Sequence, residues 1–568
     1  MRPSVAGTGR SFTCLQCLFQ RPLRRPVAPA PSSPSRYQQK TAAPPPRHTA
    51  PYHTTRSLRQ DSAATSPELQ SPPPAQRPTT APKPVIDLKH IRQNPELYAQ
   101  NCLDRNYKAA AAYPARINEL FAEWHTKQRE GRSLRERGNL LRHHLASNRA
   151  TSAADAEADP DAAGLSSLSR EQLLEEARAV KARLAGIEAA EAALTAEMQR
   201  LALAIPNLTS EATPRGSEPR VLSYINDHPE TGADPSDRVW RSHAHIGAEL
   251  GILDFAGAAT ASGWGWYYLL DEAAQLEQAL VNYALAAATR AGWRQVSPPS
   301  MVYSHIAGAC GFQPRDVNGE TQIYTISQSP DDAARGRPEL SLAGTAEIPL
   351  AGMKADSVLD ECDLPMKRVA ASRCYRAEAG ARGGETKGLY RVHEFTKVEL
   401  FAWTPPEEDA AEDIFNEMID LQTELLGSLG LHCRVLEMPT ADLGASAARK
   451  CDIEAFFPSR RDRNDGWGEV TSASICTDYQ TRRLATRLRA GPGSGAGKLV
   501  YPWTVNGTAL AVPRVLAAIL ENGWDEAEKS VVIPEVLRPW MDGREKIGPR
   551  RHDTKKKKKK KNGDDERA

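Results

Sequence analysis

Hydrophobic residues recur every three or four positions along two neighbouring stretches in the first half of the chain. In the second stretch, nine of the ten positions at this spacing from Leu173 to Ile205 are apolar, which is the repeat of a coiled-coil seam. In the first stretch, from Ile117 to Leu145, the same repeat is interrupted by Lys127, Gly131 and Gly138. Glycine weakens a helix, so we expect the first seam to be the weaker one.

The segment between the two repeats is polar and predicts a loop. Residues 147–169 contain Pro160 and Gly164, and Pro206 ends the second repeat. We therefore expect two antiparallel helices of about 30 residues each, forming a rod about 45–50 Å long at about 1.5 Å per residue. Before this rod, residues 85–106 predict a short lead-in with one helix, which begins at Asn94 with Pro95 in its first turn.

The chain after Pro206 predicts a mixed domain of helices and short strands. A helix is expected from Glu272 to Arg290, and a strand from Gly292 to Ser297 that ends in Pro298 and Pro299. Further short runs are strand-like. These runs are Gln322–Ile326, Met366–Arg376, Leu389–Trp403, His432–Glu437, Cys451–Phe457 and Gly468–Ser472.

Side chains along the run Leu389–Trp403 alternate between an apolar face and a face that carries charge. Its even positions include Val392, Val398 and Leu400, which indicates a core-facing side. Its odd positions mix charge with phenylalanine, and they are Arg391, His393, Phe395, Lys397, Glu399 and Phe401. Charged side chains on a strand are costly to bury unless they line a wet cleft or bind a ligand. We therefore favour a binding cleft over the alternative, an exposed outer face.

Basic residues are concentrated at the two ends of the chain. The 568 residues contain 73 Lys and Arg and 71 Asp and Glu, a formal net charge of +2. Residues 1–60 hold ten basic and no acidic residues, and residues 549–568 hold ten basic and four acidic residues, including the run Lys555–Lys561. Residues 61–548 therefore carry 14 more acidic than basic residues. This body can bind nucleic acid only through local basic patches.

The first 84 residues predict a targeting segment followed by a linker. They hold 17 of the 42 prolines, and such a stretch cannot bury enough apolar surface to offset its ordering entropy. An Arg-rich, Ser-rich and acid-free start is typical of an organelle transit peptide, with a plain disordered tail as the alternative. We expect residues 1–84 to direct the protein to the mitochondrial matrix, and residues 549–568 to be a disordered Lys-rich tail.

Simple patterns exclude several classes of protein. No run of about 18 apolar residues occurs, so membrane insertion is not expected. Nine cysteines are scattered, and only Cys14 and Cys17 form a C-x-x-C pair, which argues against a disulfide scaffold or a structural zinc site. The glycine-rich run 491–498 is not a P-loop, because Pro492 and Leu499 stand where that motif needs Gly and Ser or Thr.

The first coiled-coil stretch is basic along its length. Its basic residues include Arg129, Arg132, Arg135, Arg137, Arg142 and Arg149, with His143 and His144 beside them. Phosphate binding is one interpretation of this pattern. Charged flanks that only keep the coil soluble are the other, and charge patterning alone favours it.

Several motifs, in order along the chain, resemble those of seryl-tRNA synthetases. Arg376–Gly380 and Gly388–Glu399 resemble motif 2, Asn506–Arg514 followed by Ile519–Asn522 resembles motif 3, and Leu276–Pro299 resembles motif 1. Further similar segments are Gly344–Glu347, which resembles the serine-binding loop, with Glu469–Ser472 and Thr477–Gln480, which resemble the segment closing the ATP site. The resemblance extends from about Ile86 to Ile547.

This resemblance implies an α+β fold. We expect an antiparallel-sheet class II synthetase catalytic domain over 207–548, preceded by a long antiparallel α-helical coiled-coil arm over 85–206 that binds tRNA. In this family serine is activated by ATP to seryl-adenylate and then transferred to the 3′ end of tRNA(Ser). The implied partners are L-serine, tRNA(Ser) and a second copy of the chain in a homodimer, with ATP as substrate and Mg²⁺ as cofactor.

The resemblance also assigns roles to individual residues at the ATP site. Arg376 and Arg514 would be the catalytic cations, because fixed arginines neutralise phosphate charge and bind two oxygens at once. Glu469 and Ser472 would hold Mg²⁺, as hard oxygen ligands should. The full set expected at ATP is Arg376, Ala377, Glu378, Val392, Glu469, Val470, Thr471, Ser472 and Arg514.

Serine selection and tRNA binding follow the same resemblance. Thr345 and Glu347 would take the ammonium group of serine, and Glu399, Asn506 and Thr508 its hydroxyl; a site that bonds a hydroxyl rejects alanine. The full serine set is Thr345, Ala346, Glu347, Arg376, Glu399, Asn506 and Thr508. On the arm, Arg129, Arg132, Arg135 and Arg142 would contact the tRNA backbone.

Two departures from the family pattern are visible in the sequence. Pro513 lies within motif 3, and a proline inside a helix removes a hydrogen bond, so the helix is expected to start late or to bend there. The motif 2 loop, residues 381–387, contains Gly383, Gly384 and Glu385. The contacts that this loop makes with the tRNA acceptor end in the family are therefore not assigned to these residues.

Three other classes are weighed against an active synthetase. A catalytically inactive paralogue that binds RNA or a partner would not need Arg376, Glu399 and Arg514, and all three are intact. A coiled-coil scaffold with an idle second domain would tolerate the loss of Arg376. A synthetase that charges a carrier protein would lack the arm.

Overall fold

The computed structural model describes residues 81–146, 168–227, 241–312, 322–378, 388–491 and 497–549. Most of the predicted leader, nearly all of the predicted polar loop 147–169, the motif 2 loop 381–387 and almost the whole Lys-rich tail lie outside these described residues. The last four residues of the predicted leader and linker are described, and Ala81 and Pro82 among them are buried. Within the described residues, no helix is both long and apolar enough to cross a bilayer.

The described α-helices include two that are far longer than the others. The helices are α1 Leu88–Gln93, α2 Pro95–Asp104, α3 Tyr113–Ala146, α4 Arg170–Ala204, α5 His243–Leu250, α6 Phe255–Ala261, α7 Glu272–Arg290, α8 Ser304–Ala309, α9 Pro330–Ala334, α10 Glu347–Gly352, α11 Glu408–Ser428, α12 Tyr479–Leu484 and α13 Val512–Asn522.

The described strands range from two to eleven residues. They are β1 Arg220–Ile225, β2 Leu253–Asp254, β3 Tyr268–Leu269, β4 Arg294–Gln295, β5 Met301–Tyr303, β6 Leu340–Leu342, β7 Val358–Asp360, β8 Met366–Tyr375, β9 Glu394–Thr404, β10 Cys433–Glu437, β11 Arg449–Phe456, β12 Trp467–Thr477, β13 Arg487–Arg489, β14 Leu499–Val500, β15 Trp503–Ala511, β16 Trp524–Asp525, β17 Ser530–Val532 and β18 Lys546–Ile547.

The long helices α3 and α4 pair side by side, as their heptads predict. At 34 and 35 residues, each is about 50 Å long at about 1.5 Å per residue. Seam positions from both helices are buried, including Leu134, Leu141, Leu173 and Val180. Ser169 caps α4 through a reciprocal bond pair with Gln172, and α4 ends before Pro206 as predicted.

Gly131 is buried in the seam and helix α3 continues through it. A Cβ at this position would lie 3.2 Å from Glu191 Oε1 and 3.3 Å from Ile187 Cγ2. The glycine therefore permits a close approach of α3 to α4, at the cost in helix propensity that was expected.

The lead-in contains two helices, so the prediction of a single helix there was wrong. Asn94, at φ −131°, separates α1 from α2, because the residue before a proline disfavours the helical region. Pro95 then occupies the first position of α2, where its missing N–H costs nothing.

The C-terminal half is built on an eight-stranded sheet in the order β1-β10-β11-β12-β15-β9-β8-β4. Neighbouring strands are antiparallel except for the edge pair β4 and β8, so the predicted antiparallel α+β fold is confirmed. One face carries the main core, in which apolar positions of the central strands pack with helices α7, α11 and α13. The opposite face forms an open cleft.

Some strand predictions differ from the structure at their ends. Of Gly292–Ser297 only Arg294–Gln295 forms ladder pairs, and Gln322–Ile326 contributes one isolated bridge at Thr325. Strand β11 begins at Arg449, two residues before the predicted Cys451, because its pairing with β12 continues that far. Pairing with neighbours decides strand ends, and a single sequence does not show the neighbour.

Candidate active site

The cleft face of the sheet brings polar residues from four strands into register. Asp452 on β11 faces Ser472 on β12, and Thr508 on β15 faces Glu399 on β9. Two adjoining cavities open on this face: a smaller one of about 530 Å³ and a larger one of about 1670 Å³, including its open mouth.

The charged side of β9 lines the cleft, as favoured from the sequence. Lys397 and Glu399 are 6 % and 1 % exposed, so the alternative of an exposed outer face was wrong. Lys397 Nζ donates to Glu399 Oε2 at 2.6 Å, while Val398 and Leu400 point into the core. The strand therefore separates a core from a polar site by its period of two.

Arg514 lines the smaller cavity and is held by Tyr390 and Glu469. It is the third residue of α13, so Pro513 lies in the first turn of that helix; the helix starts late there, which is one of the two outcomes expected. Its Nε donates to the carbonyl oxygen of Tyr390 at 3.1 Å, and its Nη1 to the Glu469 carboxylate at 3.2 Å. The guanidinium carbon is also 4.6 Å from the centre of the Tyr390 ring.

Arg376 follows the last residue of β8 and lines both cavities. Its guanidinium carbon lies 5.2 Å from the centre of the Phe395 ring, and its backbone N–H donates to the carbonyl oxygen of His393 at 2.9 Å. Arg376 and Arg514 come from separate stretches of the chain and line the same smaller cavity. This convergence is what the two motifs led us to expect.

Glu469 and Ser472 both line the smaller cavity from strand β12. Burial alone would raise the pKa of Glu469, but Arg514 and then Lys450 lower it to about 2, so this carboxylate is ionised. Mg²⁺ prefers one or two protein oxygens and completes its shell with waters and phosphate oxygens. The pair fits that pattern, and among the described residues no group of three or more His, Cys, Asp or Glu offers a closed metal cage.

The remaining residues expected at ATP take different positions. Val392 lines the smaller cavity together with Thr471, and Glu378 lines both cavities while pairing with Arg391 at 3.3 Å. The side chain of Val470 lies in the main core. Ala377 lines neither cavity in the described part of the chain; its backbone N–H donates to Gln322.

The larger cavity holds the residues expected at the serine hydroxyl. Thr508 Oγ1 donates to Glu399 Oε2 at 3.3 Å, and Asn506 lines the cavity beside them. The Asn506 side-chain oxygen accepts from the thiol of Cys476 at 3.2 Å. This cluster offers both donors and an acceptor to a small hydroxyl.

Thr345 and Glu347 line the same larger cavity. Glu347 is 6 % exposed and accepts from Gln480 Nε2 at 2.6 Å. Burial first, and then the neighbouring Glu399, raise the pKa of Glu347 to about 8. Ala346 between them is fully buried and packs in a neighbouring apolar cluster, so it spaces Thr345 from Glu347 and does not line the cavity.

Sequence reasoning assigned no role to several groups that the structure brings into the site. Tyr390 and Lys397 line the smaller cavity, and Lys450 lines the larger one. The alternation along β9 could have assigned Lys397, because it shares a face with Glu399. Lys450 was missed because the predicted strand started one residue after it, and Gln480 because its partner Glu347 is distant in the chain.

The four arginines expected to bind tRNA lie on helix α3. Arg129, Arg132 and Arg142 are exposed, and Arg132 pairs with Glu136 at 3.0 Å within the helix. Arg135 is half-buried and lies 3.6 Å from both Glu188 and Glu191 of helix α4. Arg135 thus also ties the two helices together.

The chain also matches a known domain, which agrees with an antiparallel sheet that has one arginine directly after β8 and another in the first turn of α13. Residues 324–523 match the family described as tRNA synthetase class II core domain (G, H, P, S and T). By its fold and its site the catalytic half is that of a class II aminoacyl-tRNA synthetase.

The N-terminal half shows which family of class II synthetases the chain belongs to. Residues 85–209, which include both long helices, match the family described as Seryl-tRNA synthetase N-terminal domain. The chain belongs to the seryl-tRNA synthetase family, as its motifs indicated.

Individual relatives agree with this family membership. The chain is 44% identical over 347 residues to the mitochondrial serine--tRNA ligase of Saccharomyces cerevisiae, covering 60% of this chain and 72% of that one. It is 37% identical over 457 residues to the mitochondrial serine--tRNA ligase of Schizosaccharomyces pombe, covering 80% and 88%. The crystal structure of seryl-tRNA synthetase from Pyrococcus horikoshii complexed with ATP matches at a TM-score of 0.69 and 31% identity, covering 82% of this chain and 100% of that one.

Proposed function

We propose that this protein is a serine–tRNA ligase that activates serine with ATP and transfers it to the 3′ end of tRNA(Ser) in mitochondrial protein synthesis. The observation that carries the proposal is the convergence of Arg376 and Arg514 on one cavity, beside a second cavity lined by Thr345, Glu347 and Asn506. Family membership and the mitochondrial relatives support the same assignment.

In the activation step, a carboxylate oxygen of serine attacks the α-phosphorus of ATP. The bond from that phosphorus to the bridging oxygen breaks, and pyrophosphate leaves with the bond's electron pair. Arg376 lines both cavities, so it is placed to hold the α-phosphate and the serine carboxylate together. Arg514 would hold the far end of the triphosphate. Fixed cations of this kind lower the barrier by alignment and charge neutralisation.

Magnesium, when bound, would supply further positive charge to neutralise the phosphates. Glu469 and Ser472 would hold it, since one is an ionised carboxylate and the other a hydroxyl on the same strand. The carboxylate is already fixed by Arg514, so its orientation is set before nucleotide binds.

Serine is selected in the larger cavity. Glu347 would accept from the ammonium group, and Glu399 with Thr508 would bond the side-chain hydroxyl. Alanine would leave these buried polar groups without a partner, which costs far more than a missing methyl group. In the transfer step, a ribose hydroxyl at the tRNA 3′ end attacks the seryl carbonyl, and AMP leaves.

The arm formed by α3 and α4 would hold tRNA(Ser) by its backbone. The exposed Arg129, Arg132 and Arg142 supply positive charge along one helix. Binding of this kind reads RNA shape and phosphates more than bases.

The homodimer would form through the segment that resembles motif 1 and through an apolar groove at the end of that segment. Exposed apolar side chains, Met301, Tyr303 and Met353 at 53%, 48% and 43% exposure, line a groove with Pro298 and Pro299. Contiguous apolar surface of this kind marks an interaction site.

The location in the mitochondrial matrix rests on the acid-free, Arg-rich first 60 residues. The mitochondrial relatives support the organelle. Expression of the full chain with a C-terminal fluorescent tag, compared with a chain lacking residues 1–60, tests it: only the full chain is expected in mitochondria.

Serine-dependent exchange of pyrophosphate into ATP by the purified full-length chain tests the activity. We expect exchange with serine, little with threonine or alanine, and charging of mitochondrial tRNA(Ser). Arg376→Ala serves as the inactive control. No exchange by the wild-type chain, with tRNA binding intact, would favour the inactive RNA-binding paralogue instead.

A further inference from the structure

A lysine without an assigned role stands in the wall of the larger cavity. Lys450 lies on strand β11, and the sheet register aligns it with Ser474 and then Asn506 across three strands. Its Nζ donates to Asp452 Oδ2 at 2.7 Å. The side chain is 22% exposed and lines the cavity together with Arg376.

The partner of this lysine is incompletely satisfied. Asp452 is 4% exposed, and among the described residues its Oδ1 has no hydrogen-bond partner. The bond from Lys450 Nζ to Asp452 Oδ2, at 2.7 Å, holds the amine in place against the cavity wall. The amine is therefore a fixed cation, and a pair that served only stability would be expected to satisfy both carboxylate oxygens.

Lys450 shares no cavity with Arg514, although Glu469 and Ser472 line both cavities. It lines the larger cavity and not the smaller one, whereas Arg514 and Tyr390 line the smaller cavity and not the larger. The larger cavity, at about 1670 Å³ with its mouth, is far roomier than one serine requires. Once ATP and serine are bound, this remaining space is where another anionic group can approach the reacting carbonyl.

We propose that Lys450 binds the phosphodiester of the 3′-terminal nucleotide of the tRNA and so positions its ribose hydroxyl for the transfer step. This inference rests on the proposed function. Lysine acts here as a compact point charge toward a phosphate, and Asp452 fixes its direction. Lys450 contributes to transfer far more than to activation, in which no tRNA takes part.

The test compares the two half-reactions in Lys450→Met, which keeps the length of the stem and removes the charge. Transfer is measured in a single turnover from preformed seryl-adenylate over a range of tRNA concentrations, and activation by pyrophosphate exchange. We expect the ratio of the transfer rate constant to the half-saturating tRNA concentration to fall at least about tenfold more than exchange does, because one charge-assisted contact is lost. The salt slope of tRNA binding should decrease by about 0.7, one phosphate on a single strand.

Three further variants keep the test decisive. Lys450→Arg retains the charge and should keep transfer within about threefold. The double variant Lys450→Met with Asp452→Asn removes the unpaired carboxylate, so it separates lost transfer from lost folding. Lys367→Met is the matched control, because Lys367 is similarly half-buried and paired with Glu417 at 2.7 Å but lines neither cavity.

Two results would overturn the inference. A parallel loss of exchange and transfer would mean that Lys450 serves ATP, and no loss beyond that of Lys367→Met would mean that the pair is only structural. Failure of the wild-type chain to charge tRNA would instead overturn the proposed function itself, so the two failures are distinguishable.

Discussion

Arg514 and Glu469 are paired in the site: Nη1 of the arginine lies 3.2 Å from the carboxylate of Glu469 and 3.0 Å from its backbone oxygen. The cation that we propose for phosphate and the carboxylate that we propose for magnesium thus orient each other. Such preorganisation means that little rearrangement is needed when the charged nucleotide arrives. A substitution of either residue should therefore disturb the orientation of the other.

Arg514→Ala should lower kcat/KM for ATP in serine-dependent exchange by at least about 100-fold, about 3 kcal/mol of transition-state stabilisation. The loss is large because the remaining carboxylate of Glu469 would then repel phosphate. Arg538→Ala is the control, since Arg538 lies outside both cavities and pairs with Glu545 at 3.7 Å. A loss below about threefold in Arg514→Ala would contradict the role given to this arginine.

Tyr390 is expected to act through Arg514 as a positioning residue. The guanidinium carbons of Arg514 and Arg460 lie 4.6 Å and 4.0 Å from the centre of its ring. Tyr390→Phe keeps the aromatic face and should retain KM for ATP within about twofold, whereas Tyr390→Leu should raise it about tenfold. Equal KM values in both variants, with unchanged melting temperatures, would show that the ring does not orient the arginine.

The binding of serine should improve as pH rises through neutrality. Because the pKa of Glu347 is about 8, its carboxylate is protonated in the free site at lower pH and must ionise to accept the ammonium group. KM for serine should therefore fall between about pH 6.5 and about pH 8, by up to about tenfold per unit. Glu347→Gln should have a higher KM that is flat across this window; a sloping profile in this variant would point to another group.

Glu347 should also make the stability of the fold depend on pH, in the direction opposite to its effect on serine binding. Its pKa is raised on folding from 4.5 to about 8, so the unfolded chain releases the proton first. Its stabilising contribution is fully present below about pH 4.5 and is lost as pH rises to about 8. Glu347→Gln should therefore gain stability relative to the wild type as pH rises over this window, measured as the difference in denaturation midpoint at several pH values. A denaturation midpoint of Glu347→Gln that falls relative to the wild-type midpoint as pH rises would contradict the raised pKa.

Arg105 should couple the N-terminal helices to the wall of the active site. It is 1% exposed and donates to backbone oxygens of Asn207, Gly444 and Ala447, two of which belong to the loop that lines the larger cavity. Arg105→Met should cost about 3 kcal/mol of unfolding free energy, because buried acceptors lose their donor, and should raise KM for serine.

The control for this change is a nearby arginine at the surface. Arg215, 58% exposed, lies 3.4 Å from Asp104, and Arg215→Met should change stability by less than about 0.5 kcal/mol. If Arg105→Met loses stability while KM for serine stays constant, the junction supports the fold but not the site.

The arm should contribute to tRNA binding alone. Replacing Arg129, Arg132 and Arg142 by Gln should raise KM for tRNA and reduce the salt dependence of binding, because three phosphate-directed charges are removed. Pyrophosphate exchange should stay at the wild-type rate. The matched control replaces the exposed Arg178, Lys181 and Arg183 of helix α4; an equal effect there would mean that only total charge matters.

Local patterns determined a large part of this protein from its sequence. The heptads predicted the two long helices, and the alternation along β9 predicted a strand with core on one side and charge on the other, because helical and extended chains repeat at fixed periods. The motif arginines Arg376 and Arg514 were identified by a different route, the resemblance of their segments to the motifs of a known family. Boundaries that depend on proline, such as the end of α4 before Pro206 and the start of α13 at Val512, were also within reach, since proline acts on its own neighbours.

Only the tertiary structure decided which groups meet across the cleft. Two examples are the hydrogen bonds from Gln480 to Glu347 and from Arg105 to the loop 444–447, which join segments whose spacing carries no periodic signal. A third is the position of Lys450 in the wall of the larger cavity, which depends on a strand end that only pairing fixes. The same holds for the pKa of Glu347, which depends on burial and on Glu399 rather than on its own neighbours in the chain. A period reports the face on which a side chain lies, but contact across a site depends on how the sheet and its loops pack, and that is a property of the whole fold.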